Sequence, residues 1–318
     1  MWYIGVDGGG TKTAFTVYNN ELAPVASAFV LSTMHYAQVG FDGLERVLTE
    51  GIEHAKGLIP QDENYGIGLG LAGYGSVPEV RAEIERRVSR IAAGHVYKLV
   101  SDVEAAHAAS LGLQDGIILI AGTGSIAYGK HHHKSARVGG WGPLIGDEGS
   151  GYWIAKELLR EFSAQSDGRQ DRTLLYSLVR AHLSCTDDFN LISYVQNPKT
   201  GSRTELARLA PIVFKAAAQH DICAERIIHT AISHYVLHVK ALIKKLGFQL
   251  DICDNSRELS SGASNINISY VGGVFKAGGL VLEPLSQALP SYCKLRKPLR
   301  EPDVGACLLL KEELDRIN

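Results

Sequence analysis

Asp7-Gly8-Gly9-Gly10-Thr11-Lys12-Thr13 brings a carboxylate, three consecutive glycines, two hydroxyls and an amine into seven residues. Such a run suits an anionic group, because glycine lets backbone N–H groups press against a ligand and the hydroxyls add donors. A P-loop would need G-x-x-x-x-G-K-[ST] opening a helix, and that spacing is absent. A dinucleotide fingerprint also opens a helix, whereas Thr13-Ala14-Phe15-Thr16-Val17 is β-branched and aromatic and continues as strand. What remains is a β-hairpin whose tip offers consecutive amides, with the hydroxyls of Thr11 and Thr13. Lys12 either adds charge there or faces solvent. Asp7, at the strand end, suits a magnesium ion held through water. The same residues also read as a plain tight hairpin with a solvated aspartate.

A second turn, Gly122-Thr123-Gly124-Ser125, follows another apolar run. Alone it reads equally well as a simple turn. Ile4-Gly5-Val6-Asp7-Gly8-Gly9-Gly10-Thr11 and Leu119-Ile120-Ala121-Gly122-Thr123-Gly124-Ser125 share an order: apolar strand, glycine turn, hydroxyl residue, strand. Positions 8 and 122 lie a domain's length apart. Unless two short turns match by chance, this predicts an internal duplication, with domains at 1–112 and 113–318. Two hairpins facing one another across a cleft would clamp a polyphosphate from both sides. Among the 34 glycines, further clusters stand at Gly139–Gly151 and at Gly272, Gly273, Gly278 and Gly279. They abut strand-like runs and so mark tight turns or a ligand against backbone.

Periodicity supplies the elements that must position these residues. Strands are expected at 2–7, 13–18, 25–31, 66–71, 96–100, 116–121, 125–130 and 266–271. Helices are expected at 44–56, 79–93, 104–111, 152–162, 172–183, 205–218 (broken or kinked near Pro211), 224–246 and 304–317. Residues 196–204 and 254–265 read as polar loops. Strands first, then helices alternating with strands, predict α/β domains with mixed sheets flanked by helices. Asp102 falls between a strand and a helix, where a carboxylate could also serve as an N-cap. Ser150 reads as the cap of the helix that follows it.

At 318 residues with formal net charge −2, the chain has room for two domains and no electrostatic case for nucleic acid or an anionic membrane. Five cysteines without a C-x-x-C pair argue against a disulfide framework or zinc ribbon and fit a reducing compartment. The N-terminus lacks a basic stretch and no apolar run approaches the ~20 residues of a membrane span, so a cytoplasmic protein is expected. His131-His132-His133 raises the question of a metal. Consecutive strand residues point to opposite faces, and a solvated loop is the expectation. His229, His234 and His238 read as surface or packing residues of the long helix.

Taken together, the motifs resemble the actin/hexokinase/Hsp70 superfamily. Within it they resemble the BadF/BadG/BcrA/BcrD-type ATPases and the N-acetylglucosamine kinases. Residues 7–13 are similar to the first phosphate motif and Ala121–Ser125 to the second. Val138-Gly139-Gly140-Trp141-Gly142-Pro143-Leu144-Ile145-Gly146-Asp147-Glu148-Gly149-Ser150-Gly151-Tyr152-Trp153 is similar to the family's most distinctive signature, and Tyr270–Phe275 to the adenosine motif. The resemblance implies two ribonuclease-H-like domains with ATP and Mg²⁺ in the cleft, an amino-sugar substrate, a homodimer, and Asp102 as catalytic base. It implies nucleotide contacts from Gly8, Gly9, Gly10, Thr11, Lys12, Thr13, Gly122, Thr123, Gly124, Gly272, Gly273 and Lys276. It implies sugar contacts from Ser125, Gly140, Trp141, Asp147 and Glu148, although Trp141 reads equally as a half-buried core residue. The implied reaction is phosphorylation of the 6-hydroxyl of N-acetylglucosamine, with sugar binding narrowing the cleft.

One departure bears on the substrate. Where these kinases carry a sugar-contacting asparagine, the segment here is Ser32-Thr33-Met34-His35-Tyr36. Methionine cannot donate and accept as an amide does, so either His35 or Tyr36 substitutes or the sugar is glucosamine, N-acetylmuramic acid or another amino sugar. The rival readings are an activator ATPase of the same family and a nucleotide-binding sensor. The activators hold an iron–sulfur cluster, which needs thiolates. No cysteine precedes Cys185, and no cluster is expected.

Overall fold

The computed structural model describes every residue except 26–28, 76, 185, 249–264 and 318. Part of the expected strand at 25–31, nearly all of the loop at 254–265, and Cys185 and Cys253 thus lie outside the described residues. The chain divides into two compact units, Met1–Gln114 with Lys297–Asn318, and Asp115–Arg296.

The first unit runs β1 (Trp2–Gly8), β2 (Lys12–Tyr18), β3 (Phe29–Ser32), α1 (Tyr36–Lys56), β4 (Tyr65–Leu71), α2 (Pro78–Ile91), β5 (Tyr97–Ser101) and α3 (Asp102–Leu111). After the second unit the chain returns to it through a 3-10 turn (Pro302–Val304) and, as the last helix, α11 (Gly305–Ile317). The second unit runs β6 (Gly116–Ala121), β7 (Ser125–His131), β8 (Lys134–Gly139), α4 (Gly151–Ser166), α5 (Leu174–Leu183), α6 (Asn190–Gln196), α7 (Arg203–Ala207), α8 (Ala210–Ala217) and α9 (Ile222–Leu246). It closes with β9 (Ile266–Val271), a 3-10 turn (Gly273–Ala277), α10 (Gly279–Ala288) and β10 (Cys293–Leu295).

Each unit holds one five-stranded sheet, ordered β3-β2-β1-β4-β5 and β8-β7-β6-β9-β10. Pairing directions match position by position: antiparallel between the first three strands, parallel between the last three. The two short turns singled out in the sequence occupy the same place, joining β1 to β2 and β6 to β7. The repeat is therefore one of topology as well as of motif. The expected second domain, 113–318, differs from the observed unit at its end. Residues 297–318 pack with the first unit because Ala306, Cys307, Leu309 and Leu310 of α11 are buried against it.

In the first unit one sheet face carries Ile4, Val6, Phe15, Ile67 and Leu69 and packs on Leu48, Ile52, Ile84 and Val88 of α1 and α2. The other face of β4 is almost bare, since its sequence is Tyr-Gly-Ile-Gly-Leu-Gly-Leu. With a period of two, Gly66, Gly68 and Gly70 share that face. A side chain at Gly68 would overlap the backbone of Ala306 and Cys307, and one at Gly70 would lie 2.6 Å from Ala105 Cβ. Helices α11 and α3 thus sit flush on the strand.

The helix expected at 205–218 is two, α7 and α8, with Pro211 in the first turn of α8. Helix α1 starts earlier than its apolar periodicity, but Gly40 (φ 70°) interrupts it, and the regular part begins where the pattern does. Strands β8 and β10 and helices α6 and α10 carry no clear apolar period and were not expected. No helix among the described residues is long and apolar enough to cross a membrane.

Candidate functional site

In the first unit, β1 and β2 close a tight hairpin in which Gly9 N–H donates to Lys12 carbonyl at 3.0 Å. Two side chains brace its tip from outside: Thr33 Oγ1 donates to Gly9 carbonyl at 2.9 Å, and Gln38 Nε2 to Gly10 carbonyl at 2.6 Å. With these carbonyls held outward, Gly10, Thr11 and Lys12 stand exposed at the turn. Thr13 does not join them. It is fully buried and its hydroxyl donates to Ser32 carbonyl at 3.0 Å, so it fastens β2 to β3 instead of offering a donor to a ligand.

Asp7 ends β1 at the root of this hairpin. Burial pushes its carboxyl up to about 6, and the charges of Asp102 and Asp303 push the same way against Lys12. Asp102 opens α3. Ser101, not Asp102, is the N-cap, its hydroxyl accepting from Glu104 N–H at 3.3 Å. Asp102 Oδ1 accepts its neighbour Val103 N–H at 2.9 Å, and burial raises its pKa. The N-cap role considered for Asp102 is therefore already filled. The flush docking of α3 on Gly70 is what brings this carboxylate beside Asp7.

Met34 is buried in the core, with its sulfur about where a Gly8 side chain would press, at 3.3 Å. It supports the hairpin from beneath. His35 caps α1, its Nδ1 accepting Ala37 N–H at 3.2 Å, which leaves the ring proton on Nε2. Its ring stacks on Tyr36 at 5.3 Å, and both rings lie against Gly73.

In the second unit the turn after β6 is closed by Gly122 N–H donating to Gly124 carbonyl at 2.9 Å, while Gly151 N–H donates to Gly122 carbonyl at 2.8 Å. The start of α4 is thereby pinned to the turn, and Ser150 caps that helix through Trp153 N–H. Ser125 Oγ donates to Glu148 carbonyl at 2.7 Å. Asp147 is buried with φ 58°, a left-handed backbone that aspartate tolerates better than most side-chain-bearing residues. Burial raises its pKa, and Arg203 with the backbone N–H groups of Ser125 and Gly142 opposes that rise. Arg203 Nη2 pairs with Asp147 Oδ2 across the space where Gly124 has no side chain. The rest of the loop is open: Trp141, which could have been a core residue, is 69% exposed, beside Leu144 at 90% and Ile145 at 76%.

At the end of β9, a side chain on Gly272 would strike the Ala121 carbonyl, so this glycine allows β9 to close on the end of β6. Gly122 and Gly273 differ: a Cβ there would meet nothing within 4 Å. Glycine at those two positions leaves room that the chain itself does not fill. Lys276 is exposed on the 3-10 turn, while Val274 and Phe275 anchor the turn in the core.

Sequence reasoning missed Arg203, Gln38, Thr33 and Asp303. Arg203 lay in a segment read as a polar loop. Asp303 accepts the Thr16 hydroxyl across nearly the whole chain length, a contact without local signal.

Comparison with known proteins adds to this geometry. A family model described as the BadF/BadG/BcrA/BcrD ATPase family matches residues 4–309. The N-acetyl-D-glucosamine kinase of Dictyostelium discoideum is 29% identical over 322 residues, covering 96% of this chain and 97% of that protein. The N-acetylmuramic acid/N-acetylglucosamine kinase of Clostridium acetobutylicum is 31% identical over 282 residues, 86% of this chain and 89% of that one. Among solved structures, a candidate N-acetylglucosamine kinase from Chromobacterium violaceum superposes with a TM-score of 0.68 at 26% identity over 98% of both chains. A ROK family glucokinase from Streptomyces griseus, in complex with glucose and AMPPNP, shares the fold at 17% identity, with a TM-score of 0.57 over 100% of both chains.

Proposed function

The chain belongs to the BadF/BadG/BcrA/BcrD ATPase family, and on that premise we propose that it is an ATP-dependent amino-sugar kinase acting on the 6-hydroxyl of N-acetylglucosamine. The observation that carries this reading is the pair Asp7 and Asp102, two carboxylates at the root of a glycine hairpin whose burial raises their proton affinity. Phosphoryl transfer needs a positioned hydroxyl, neutralised phosphates and a proton acceptor. Asp102 is the acceptor: burial raises its proton affinity, which suits a base, and Val103 N–H fixes its carboxylate. The sugar oxygen bonds to the γ-phosphorus, the bond to the β-phosphate oxygen breaks, ADP leaves and the hydroxyl proton passes to Asp102.

Asp7 fits a hard cation, since a carboxylate crowded by two others and opposed only by Lys12 gains from a divalent charge. Mg²⁺ arriving with ATP would neutralise the phosphate oxygens. The nucleotide falls to the exposed turn of Gly10, Thr11 and Lys12, with half-buried Gly9, whose N–H closes the hairpin, and buried Gly8 as the base of that turn. It also falls to Gly122, Thr123, Gly124, Gly272, Gly273 and Lys276. Buried Asp147 accepts sugar hydroxyls, with Arg203 holding it charged. Ser125, Glu148, Gly140 and Trp141 complete that part, with His35 and Tyr36 supplying the contact that buried Met34 cannot. A cytoplasmic homodimer completes the reading.

The Clostridium acetobutylicum relative, named for N-acetylmuramic acid beside N-acetylglucosamine, and a Vibrio cholerae relative named as a glucosamine kinase, 26% identical over 250 residues, keep those two sugars as alternatives. Measuring ADP release with N-acetylglucosamine, N-acetylmuramic acid, glucosamine, N-acetylmannosamine and glucose decides among them. ADP is expected only with an amino sugar, and N-acetylglucosamine should give the highest kcat/KM. Equal ADP formation with and without any sugar would favour the activator reading. In Asp102→Asn, kcat should fall by about 10²–10⁴ while ATP still binds; near-normal turnover would remove Asp102 from its role.

A further inference from the structure

His131, His132 and His133 take no part in the proposed kinase chemistry, yet the fold uses them in a way the alternation of a strand does not anticipate. His131 ends β7 and Lys134 opens β8, so His132 and His133 form a two-residue hairpin turn. His132 has φ 53°, in the left-handed region. That backbone turn swings its ring onto the same side as that of His131, with ring centroids 4.2 Å apart. Asp115, immediately before β6, reaches the same point. Its Oδ2 lies 3.2 Å from His131 Nδ1 and 3.8 Å from His132 Nδ1.

We propose that Asp115, His131 and His132 form a binding site for a zinc-class divalent ion, using one carboxylate oxygen and two imidazole nitrogens. All three ligand atoms lie within 4.8 Å of one another. Bond lengths of 2.0–2.2 Å in a tetrahedral zinc site put neighbouring ligand atoms about 3.3 Å apart, and the two distances to Asp115 bracket that value. His131 Nδ1 is buried and, despite its 3.2 Å approach to the carboxylate, makes no hydrogen bond among the described residues. Nitrogen and oxygen near one another but out of line for N–H···O are placed as two ligands of a third body. Asp115 Oδ2 also accepts His132 N–H at 2.8 Å, which sets the orientation of the carboxylate. Phe248 stacks on His131 at 4.1 Å and holds that ring.

Two imidazoles with one carboxylate favour zinc, cobalt, nickel or copper over magnesium or calcium. Asp115 and His132 are exposed, so a remaining position is open to water. The site stands at the opposite end of β6 from Gly122, about 20 Å away by strand rise. An ion there would tie the start of β6 to the β7–β8 turn and stabilise the folded chain by an amount that grows with the logarithm of free ion above its Kd.

Tag-free full-length protein, stripped with chelator, is titrated with Zn²⁺ by calorimetry, with melting followed in parallel. One saturable ion per chain is expected, with a rise in melting temperature and, by NMR, shifts in the ring signals of His131 and His132 but not of His133. His132→Gly removes a ligand while accepting the positive φ, and Asp115→Asn keeps an acceptor for His132 N–H while losing the charge. Each should weaken binding at least tenfold, the lower bound for losing even a residue that merely orients a ligand. Melting in chelator reports whether each variant is folded, and His131→Gln is a third route if one is not. His133→Ala should bind as the parent does. No uptake by the parent, or equal affinity in the parent, His132→Gly and Asp115→Asn, would overturn the site.

Discussion

Asp7 holds its charge at a cost that is measurable. Its folded pKa of about 6 stands above the ordinary 3.8, so between roughly pH 4 and 6 the folded protein binds more protons than the unfolded chain. Stability must then fall as pH rises through that window, with the penalty fully present above it and absent below both values. Asp7→Asn is expected to stabilise the metal-free protein at pH 8 by about 1–3 kcal/mol and to change it little at pH 4. Denaturant unfolding at the two pH values checks this, and an unchanged or lower midpoint at pH 8 would mean that the crowding is harmless. The same variant should lose affinity for Mg-ATP, the usual exchange of stability for function at a charged site. In the parent, Mg-ATP binding should weaken as pH drops below about 6, where protons compete for Asp7. A strand-end carboxylate beside glycines was legible in the sequence. Its coupling to Asp102 and Asp303 was not, because both belong to elements that reach it only through tertiary packing.

At the scale of elements, glycine does two different jobs, and the structure separates them. Gly68 serves the fold: a methyl group there would lie 2.6 Å from the carbonyl carbon of Ala306, so α11 would have to move off β4. Gly68→Ala should cost about 1–3 kcal/mol or more, since the obstructing atoms are backbone and cannot rotate away. Gly273 has open space around its missing side chain. Gly273→Ala should melt as the parent does, and any loss of ATP affinity would then come from the ligand. A thermal melt and a nucleotide titration on both variants test the contrast; equal melting losses would defeat it. The alternating glycines of β4 read in the sequence as a short buried strand. That they form a docking face for two helices depended on which helices arrive there.

At the scale of the whole molecule, a repeated sheet is completed by a chain that leaves the first unit and returns to it. Residues 297–318 belong to the first unit, and α11 buries Ala306, Cys307, Leu309 and Leu310 there. A chain ending at Val304 should leave the bare face of β4 uncovered. Limited proteolysis is then expected to cleave within residues 1–114 while fragments spanning 115–296 persist. A digestion pattern matching that of the full chain would show that the returning helix is dispensable. The sequence placed this segment in the second half because it follows that half along the chain, and linear order cannot show a return.

By itself the sequence determined the local grammar: the two glycine turns, the repeat of strand and turn, the amphipathic helices and the carboxylates at strand ends. Each of these depends on residues within one or two turns of backbone, where spacing and φ preference decide the outcome. Only the tertiary structure decided that Met34 is buried beneath the hairpin, that Thr13 gives its hydroxyl to Ser32, that Arg203 meets Asp147, and that Asp115 joins two histidines of a neighbouring turn. Those outcomes depend on which strands become neighbours and on whether a facing side chain leaves room. That is settled by burying apolar surface across the whole unit, not by the residues at the point of contact.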